Sequence, residues 1–228
     1  DLLKNNFAYK CICSEEKLNS QRKLIKKNKN ISKKICTECK NDNEVQKLSD
    51  GFVIRIKLPD QGEVNIDDQI QGNIIVKNKE LDDFIILRQD MSPTYMLSVV
   101  VDDNDLKVNF IIRGDDHLNN TFRQYYIYKY LNWNFPKYAH IPLIHGEDGS
   151  KLSKRHGAVD ILEFKKNGYL KDAIINNLIL LGWSPGNENE IIEINEIIKN
   201  FKIYKLSKSS SIFSYKKLNF FNNYYLRK

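Results

Sequence analysis

From residue 51 onward the chain alternates. Phe52, Ile54, Ile56 and Leu58 are separated by Val53, Arg55 and Lys57, a period of two that predicts a strand. Residues 73–77 and 84–88 read as further strands, set apart by turns that contain Gly and Asp. Ahead of them, residues 14–30 predict a helix with Ser14 as N-cap, Glu15 and Glu16 in its first turn and lysines towards its end, an order that suits the helix dipole. Residues 94–101 are apolar and fit either a helix or a strand. Residues 108–113 read as a short buried strand, 119–131 as a helix and 138–144 as another strand, followed by a Glu147-Asp148-Gly149 turn. Strand, helix, strand at this spacing predicts a parallel α/β unit. Beyond Val159 the pattern is helical, over 159–167, 170–181, 193–200 and 214–226. Gly168 and Gly182 stand where C-cap glycines belong. There is no internal repeat.

The chain is long enough, at 228 residues, to bury a core, and its 41% hydrophobic and 29% charged residues exclude a disordered polymer. No apolar run reaches the roughly 18 residues of a membrane span; the most apolar stretch, 173–183, is broken by Asn176 and Asn177. A net charge of +7 favours an anionic partner, nucleic acid first, and a merely solvated basic surface accounts for it equally well. The first residue is Asp1 and no secretory signal stands there, so the expectation is a cytoplasmic protein whose true start lies upstream.

All four cysteines, Cys11, Cys13, Cys36 and Cys39, fall in two close pairs near the front. Two disulfides would account for them in a secreted protein. In a lysine-rich chain without a signal, paired spacing reads better as a metal site. Four thiolates can close a tetrahedral structural zinc site with no open position for catalysis.

A second feature carries chemistry. Lys151-Leu152-Ser153-Lys154-Arg155-His156-Gly157 puts three cations on one short loop after a strand and a glycine turn. Such a loop suits a polyphosphate, because mobile lysines neutralise charge as it builds on phosphate oxygens. The plain alternative is a solvated basic turn.

The order of residues says more than the charge. Lys151 to Arg155 resembles the Lys-Met-Ser-Lys-Ser loop of class I aminoacyl-tRNA synthetases. Upstream, Ser92-Pro93-Thr94-Tyr95, then Asp102-Asp103, then Ile112-Arg113-Gly114-Asp115-Asp116-His117 and Ala139-His140-Ile141-Pro142-Leu143 follow the pattern of bacterial glutamyl-tRNA synthetases in order, and downstream Leu181-Gly182-Trp183-Ser184 continues it. Cys11-Ile12-Cys13, 22 intervening residues and Cys36-Thr37-Glu38-Cys39 resemble the zinc insertion of that family, although the second pair there commonly ends differently. Asp90-Met91 stands where the family commonly has Asp-Gly before Pro-Thr-Tyr, which makes a changed turn the expectation.

The resemblance implies the second half of a Rossmann-like α/β catalytic fold (93–158), preceded by a zinc-binding α+β insertion for the tRNA acceptor end (1–92) and followed by a helical stem-contact region (159–228). It implies that Lys154, Lys151 and Arg155 act in catalysis, that Lys154, Ser153, Asp116 and His117 bind ATP, that Tyr95 and Arg113 bind glutamate, and that the four cysteines hold Zn2+. An Arg fork matches a carboxylate bidentately, and a Tyr hydroxyl adds a hydrogen bond. ATP with Mg2+, glutamate and tRNA(Glu) are the implied substrates of a monomeric enzyme with no membrane role. Lysines 23, 26, 27, 29, 33 and 34, and 202, 205, 208, 216 and 217, are the expected phosphate contacts. The His-Ile-Gly-His-like half of the family's ATP site and its anticodon-binding domain are not in these residues, so the chain alone is expected to be inactive. Two other readings stand beside the ligase: a glutamyl-queuosine tRNA(Asp) synthetase, and a non-catalytic zinc-stapled RNA-binding fragment.

Overall fold

The computed structural model describes residues 1–27, 33–36, 38–152, 160–186 and 189–228. They form two compact units: Asp1–Asp67 with Asn73–Ile111 and Leu118–Tyr138, and Asp68–Gly72 with Ile112–His117 and Ala139–Lys228.

In chain order the elements up to residue 141 are β1 (Ala8–Cys11), α1 (Glu15–Lys27), α2 (Asn43–Lys47), β2 (Val53–Ile56), β3 (Glu63–Asp68), β4 (Gly72–Lys77), β5 (Ile85–Leu87), α3 (Tyr95–Asp105), β6 (Phe110–Gly114), α4 (Leu118–Tyr130) and β7 (Lys137–Ile141). One sheet has the order β1-β2-β5, with β1 and β2 antiparallel and Ala8 opposite Ile56; a second has the order β4-β3-β7-β6. Phe52, Ile54, Ile56 and Leu58 are buried, as their alternation predicts, and pack with Val64, Ile66, Phe84, Phe122 and Ile127. Each such side chain removed from water is worth about 1.5–3 kcal/mol. Ser14 caps α1 as expected, its hydroxyl accepting from the Lys17 amide at 3.3 Å.

The hydrophobic pattern does not reveal β1 and β3. In β3 the inward positions are Val64, Ile66 and Asp68, so a carboxylate occupies the third apolar place and breaks the alternation. The ambiguous stretch 94–101 is helical, within α3. The strand expected buried at 108–113 starts at Phe110 and is only half-buried, with Ile112 exposed, because β6 is an edge strand. The single strand expected at 138–144 is two: β7 stops at Ile141, where Pro142 has no N–H to extend the ladder, and β8 (Ile144–His145) follows. Met91 holds φ +64°, the left-handed region that glycine favours, in a turn closed by its amide donating to the Arg88 carbonyl at 3.0 Å.

The second unit holds β8, α5 (Ile161–Lys166), α6 (Lys171–Ile179), α7 (Ile194–Asn200), β9 (Ser211–Ile212) and α8 (Tyr215–Arg227), with β8 and β9 parallel. Phe164, Ile174, Phe213 and Leu218 form its core. Asn176 interrupts the most apolar stretch because it ties helices to loops: its Nδ2 donates to the Glu190 carbonyl at 2.7 Å, and its Oδ1 accepts from the Ile192 amide and the Tyr225 hydroxyl at 3.0 Å each. Gly168 ends α5 at φ +82°, as predicted. Gly182 does not cap α6, which ends at Ile179, and its φ is not left-handed. Its small size serves close approach instead, since a Cβ there would lie 3.3 Å from Leu206 Cδ2. Among the described residues no helix is long and apolar enough to cross a membrane.

Candidate functional site

The cysteines come together in the first unit. Strand β1 ends at Cys11, Cys13 follows two residues on, and a 3-10 turn at Cys39–Asn41 holds Cys39. The Sγ atoms of Cys11 and Cys36 lie 3.4 Å apart, Cys13 and Cys36 3.3 Å, and Cys13 and Cys39 3.6 Å, with all four within 4.8 Å of one another. All four are free thiols, and the separations are far beyond the roughly 2.05 Å of a disulfide. Four sulfurs at zinc-bond length on a tetrahedron stand about 3.8 Å apart, so the cluster fits a closed metal site. The protonation pattern points the same way. Hydrogen bonding to Cys36, with a lesser contribution from Arg55, pulls Cys11 down to about 4 against its burial. Burial pushes Cys13 up to about 11, and its hydrogen bond to Cys11 pushes Cys36 up. A divalent cation would stabilise the thiolate form of its ligands.

Beneath the cluster lies a buried carboxylate that the sequence does not announce. Asp83 Oδ1 accepts from Lys34 Nζ at 2.8 Å and from the Leu58 amide at 3.0 Å, and its Oδ2 lies 3.3 Å from the Tyr9 hydroxyl. That hydroxyl donates to the Cys36 carbonyl at 2.9 Å. Lys34 is therefore turned inward, a correction to its place among the expected phosphate contacts. Lys29 lies outside the described residues. Lys23, Lys26 and Lys33 do line an open cleft of about 560 Å³, with Arg22 and Arg123. In the rear group, Lys208 donates to the Gln71 carbonyl and Lys217 pairs with Glu190 at 2.7 Å.

Three other predicted residues sit on one turn of the second unit. Arg113 is near the end of β6, and Asp115–His117 follows directly as a 3-10 turn. Gly114 leaves the Asp116 carboxylate its place: a Cβ there would lie 2.6 Å from Asp116 Oδ1 and push it aside. Arg113 Nη2 donates to the His117 carbonyl at 3.2 Å, and Arg113 Nε donates to His140 Nε2 at 3.1 Å. Asp116 Oδ2 accepts from Lys151 Nζ at 2.8 Å, and this lysine holds the Asp116 carboxyl below the usual range. Lys151 stands on the returning arm of a hairpin in which Gly146 N donates to the Ser150 carbonyl and Leu152 N to the Ile144 carbonyl, each at 2.9 Å. Ser153, Lys154 and Arg155 lie outside the described residues. Tyr95 opens α3 in the first unit and is about half exposed.

Behind Arg113 are two residues to which sequence reasoning assigned no role. His140 and Asp68 are fully buried, with His140 Nδ1 2.6 Å from Asp68 Oδ2. Asp68 also accepts from the backbone amides of Ile70, Gln71 and His140. Burial alone would raise the Asp68 carboxyl, but these hydrogen bonds, His140 first, hold it below its ordinary value.

Residues 1–220 match the family model of the catalytic domain of class I tRNA synthetases of the E and Q type. The chain belongs to that family. Its relatives include a glutamate–tRNA ligase of Francisella tularensis subsp. novicida, 45% identical over 227 residues, which span all of this chain and 48% of the relative. A glutamate–tRNA ligase 2 of Ehrlichia chaffeensis is 47% identical over 225 residues, 99% of this chain and 47% of that one. The crystal structure of a glutamate tRNA ligase from Elizabethkingia meningosepticum, solved in complex with its amino acid, superposes with a TM-score of 0.80 at 30% identity, over 99% of this chain and 51% of that one. The chain thus spans about half the length of the relatives it matches, and its mixed α/β sheets are those of the class I synthetase catalytic fold. For a synthetase of this family, the cysteine cluster and the Arg113 turn both lie inside the matched residues.

Proposed function

We propose that this chain is part of a glutamate–tRNA ligase of protein biosynthesis, working in the cytoplasm as a monomer. The observation that carries the reading is the 113–117 turn: one short segment offers a buttressed guanidinium for a carboxylate and tethers a lysine of a polyphosphate-type loop. In the reaction an oxygen of the glutamate α-carboxylate attacks the α-phosphorus of ATP, and pyrophosphate leaves. A ribose hydroxyl at the 3′ end of tRNA(Glu) then attacks the acyl carbon, and AMP leaves.

Arg113 grips glutamate by charge-assisted hydrogen bonds, and glutamate binding is also the role the resemblance gives to Tyr95. Lys151, Lys154 and Arg155 neutralise phosphate charge as it develops, and Ser153, Asp116 and His117 line the nucleotide. Mg2+ supplies further charge neutralisation on the phosphates when bound. Cys11, Cys13, Cys36 and Cys39 hold a structural Zn2+, for which soft thiolates in a closed tetrahedron are suited. The division into an acceptor-end insertion over 1–92, a catalytic half over 93–158 and a stem-contact region over 159–228 belongs to the same reading. Exposed lysines of the first and last parts meet RNA phosphates.

The test is glutamate-dependent ATP–pyrophosphate exchange by the intact enzyme. Arg113→Lys, which loses the fork, should raise the KM for glutamate roughly 10-fold or more and leave that for ATP unchanged. Lys154→Ala should lower kcat much more than it weakens glutamate binding. Wild-type constants in both variants would remove the reading.

A further inference from the structure

We propose that Asp68 and His140 form a positioning pair for Arg113, fixing His140 in the Nδ1–H tautomer so that its Nε2 lone pair clamps the guanidinium in one orientation. The proposal deepens the reading of Arg113 as a carboxylate binder and rests on it.

The tautomer follows from donors and acceptors. Arginine Nε always carries its hydrogen, so the 3.1 Å contact from Arg113 Nε requires His140 Nε2 to accept. The ring proton must then sit on Nδ1, where it meets Asp68 Oδ2 at 2.6 Å. Asp68 is in turn forced to accept. Its Oδ1 receives the Ile70 amide at 3.0 Å, the Gln71 amide at 2.8 Å and the His140 amide at 3.2 Å, and the His140 amide lies 3.1 Å from Oδ2. Converging donors leave no room for a proton on this carboxylate. Both side chains are fully buried, so water cannot take over either role. A second strap holds the imidazole from the backbone side: Gln71 Nε2 donates to the His140 carbonyl at 3.1 Å.

The consequence lies at Arg113. Its Nε contact and the Nη2 contact to the His117 carbonyl at 3.2 Å both lie along the guanidinium, and two such contacts fix its plane and roll. An arginine on a half-buried edge strand would otherwise sample several rotamers, each ordered at an entropic cost when ligand binds. The device works only in one protonation pattern. With the proton on Nε2, or on both nitrogens, the imidazole would turn an N–H against the Arg113 Nε–H, donor against donor. Asp68 is what prevents this.

The bland account is that Asp68 and His140 only close the turn at 68–72 and stabilise the fold. Asp68→Asn separates the two. The asparagine oxygen belongs where three amides converge, which points its NH2 at His140 Nδ1 and drives the ring proton to Nε2. In the intact enzyme with 15N-labelled histidine, ring-nitrogen shifts should report His140 as Nδ1–H in the wild type and Nε2–H in D68N. The KM for glutamate should rise roughly 10- to 100-fold in D68N, with that for ATP unchanged, the loss expected for a misaimed binding group. His140→Gln, whose amide oxygen can still accept from Arg113, should keep the KM for glutamate within about 3-fold, while His140→Leu should match D68N. The glutamine–leucine comparison carries the test if D68N does not fold. An Nε2–H tautomer in the wild type overturns the proposal. So does a wild-type KM for glutamate in D68N and H140L when Arg113→Lys raises it, and that result leaves the Arg113 reading intact. If Arg113→Lys itself leaves that KM unchanged, the Arg113 reading fails, and the proposal with it.

Discussion

The cysteine cluster and the Asp68–His140–Arg113 chain are both polar clusters in a protein interior, yet they are completed in opposite ways. In the cluster four like groups converge, and among them Cys11 falls while Cys13 and Cys36 rise. Such a set of thiols could hold a metal ion. In the second cluster, donor meets acceptor at each step, from the backbone amides through the carboxylate and imidazole to the guanidinium. That cluster is complete with protein atoms. Convergence of like groups marks a place for a ligand, whereas alternation of donor and acceptor marks a place that orients something else.

The comparison can be broken most forcefully at the metal. Structural zinc supplies on the order of 10 kcal/mol of binding free energy to small folds. Cys36→Ser should therefore lower zinc content from about one ion per chain to near none under mild chelation. Amide exchange over residues 8–47 should accelerate while the 68–72 turn stays protected. Equal zinc in mutant and wild type by elemental analysis would end the metal reading. Next in size is Asp83→Ala, which strands the buried Lys34 charge and should cost about 3–5 kcal/mol in urea unfolding. Lys40→Ala, losing a partly exposed contact 3.5 Å from the same carboxylate, should cost about 0.5 kcal/mol or less.

The pH response gives a smaller effect. The Asp68 carboxyl is held below its unfolded value of about 3.9, so its contribution is present above that pH and lost as pH falls through the lower folded value. Stability should thus fall below about pH 4, and Asp68→Asn should flatten that slope; an unchanged slope would mean that other carboxylates govern acid unfolding. Smallest for stability is Lys151→Ala. Its pair with Asp116 is exposed, so unfolding should shift by no more than about 0.5 kcal/mol. Pyrophosphate exchange by the intact enzyme should nevertheless drop roughly 10-fold or more. A large loss of stability with full activity would make Lys151 a structural residue.

Parts of this architecture can be read directly from the chain. Ser14, with two glutamates behind it, announces α1, and Phe52 to Leu58 announces β2, because capping and alternation are local patterns. The paired cysteines announce their own meeting, since few residue types have reason to recur at that spacing. Strand β3 is hidden because its third inward position is Asp68, an apparent break in pattern that becomes intelligible only once His140 arrives 72 residues later. Lys34 misleads for the same reason. In a run of lysines it resembles its neighbours, and only Asp83, 49 residues away, turns it inward.

The sequence by itself determined the periodicity of the main helices and strands, the paired cysteines and the order of motifs that marks the family. All of these are properties of neighbours along the chain. The tertiary structure alone decided which charges are buried, which lysines remain at the surface and which nitrogen of His140 carries its proton. Those follow from desolvation and from hydrogen-bond partners brought together across tens of residues, and no local pattern encodes them.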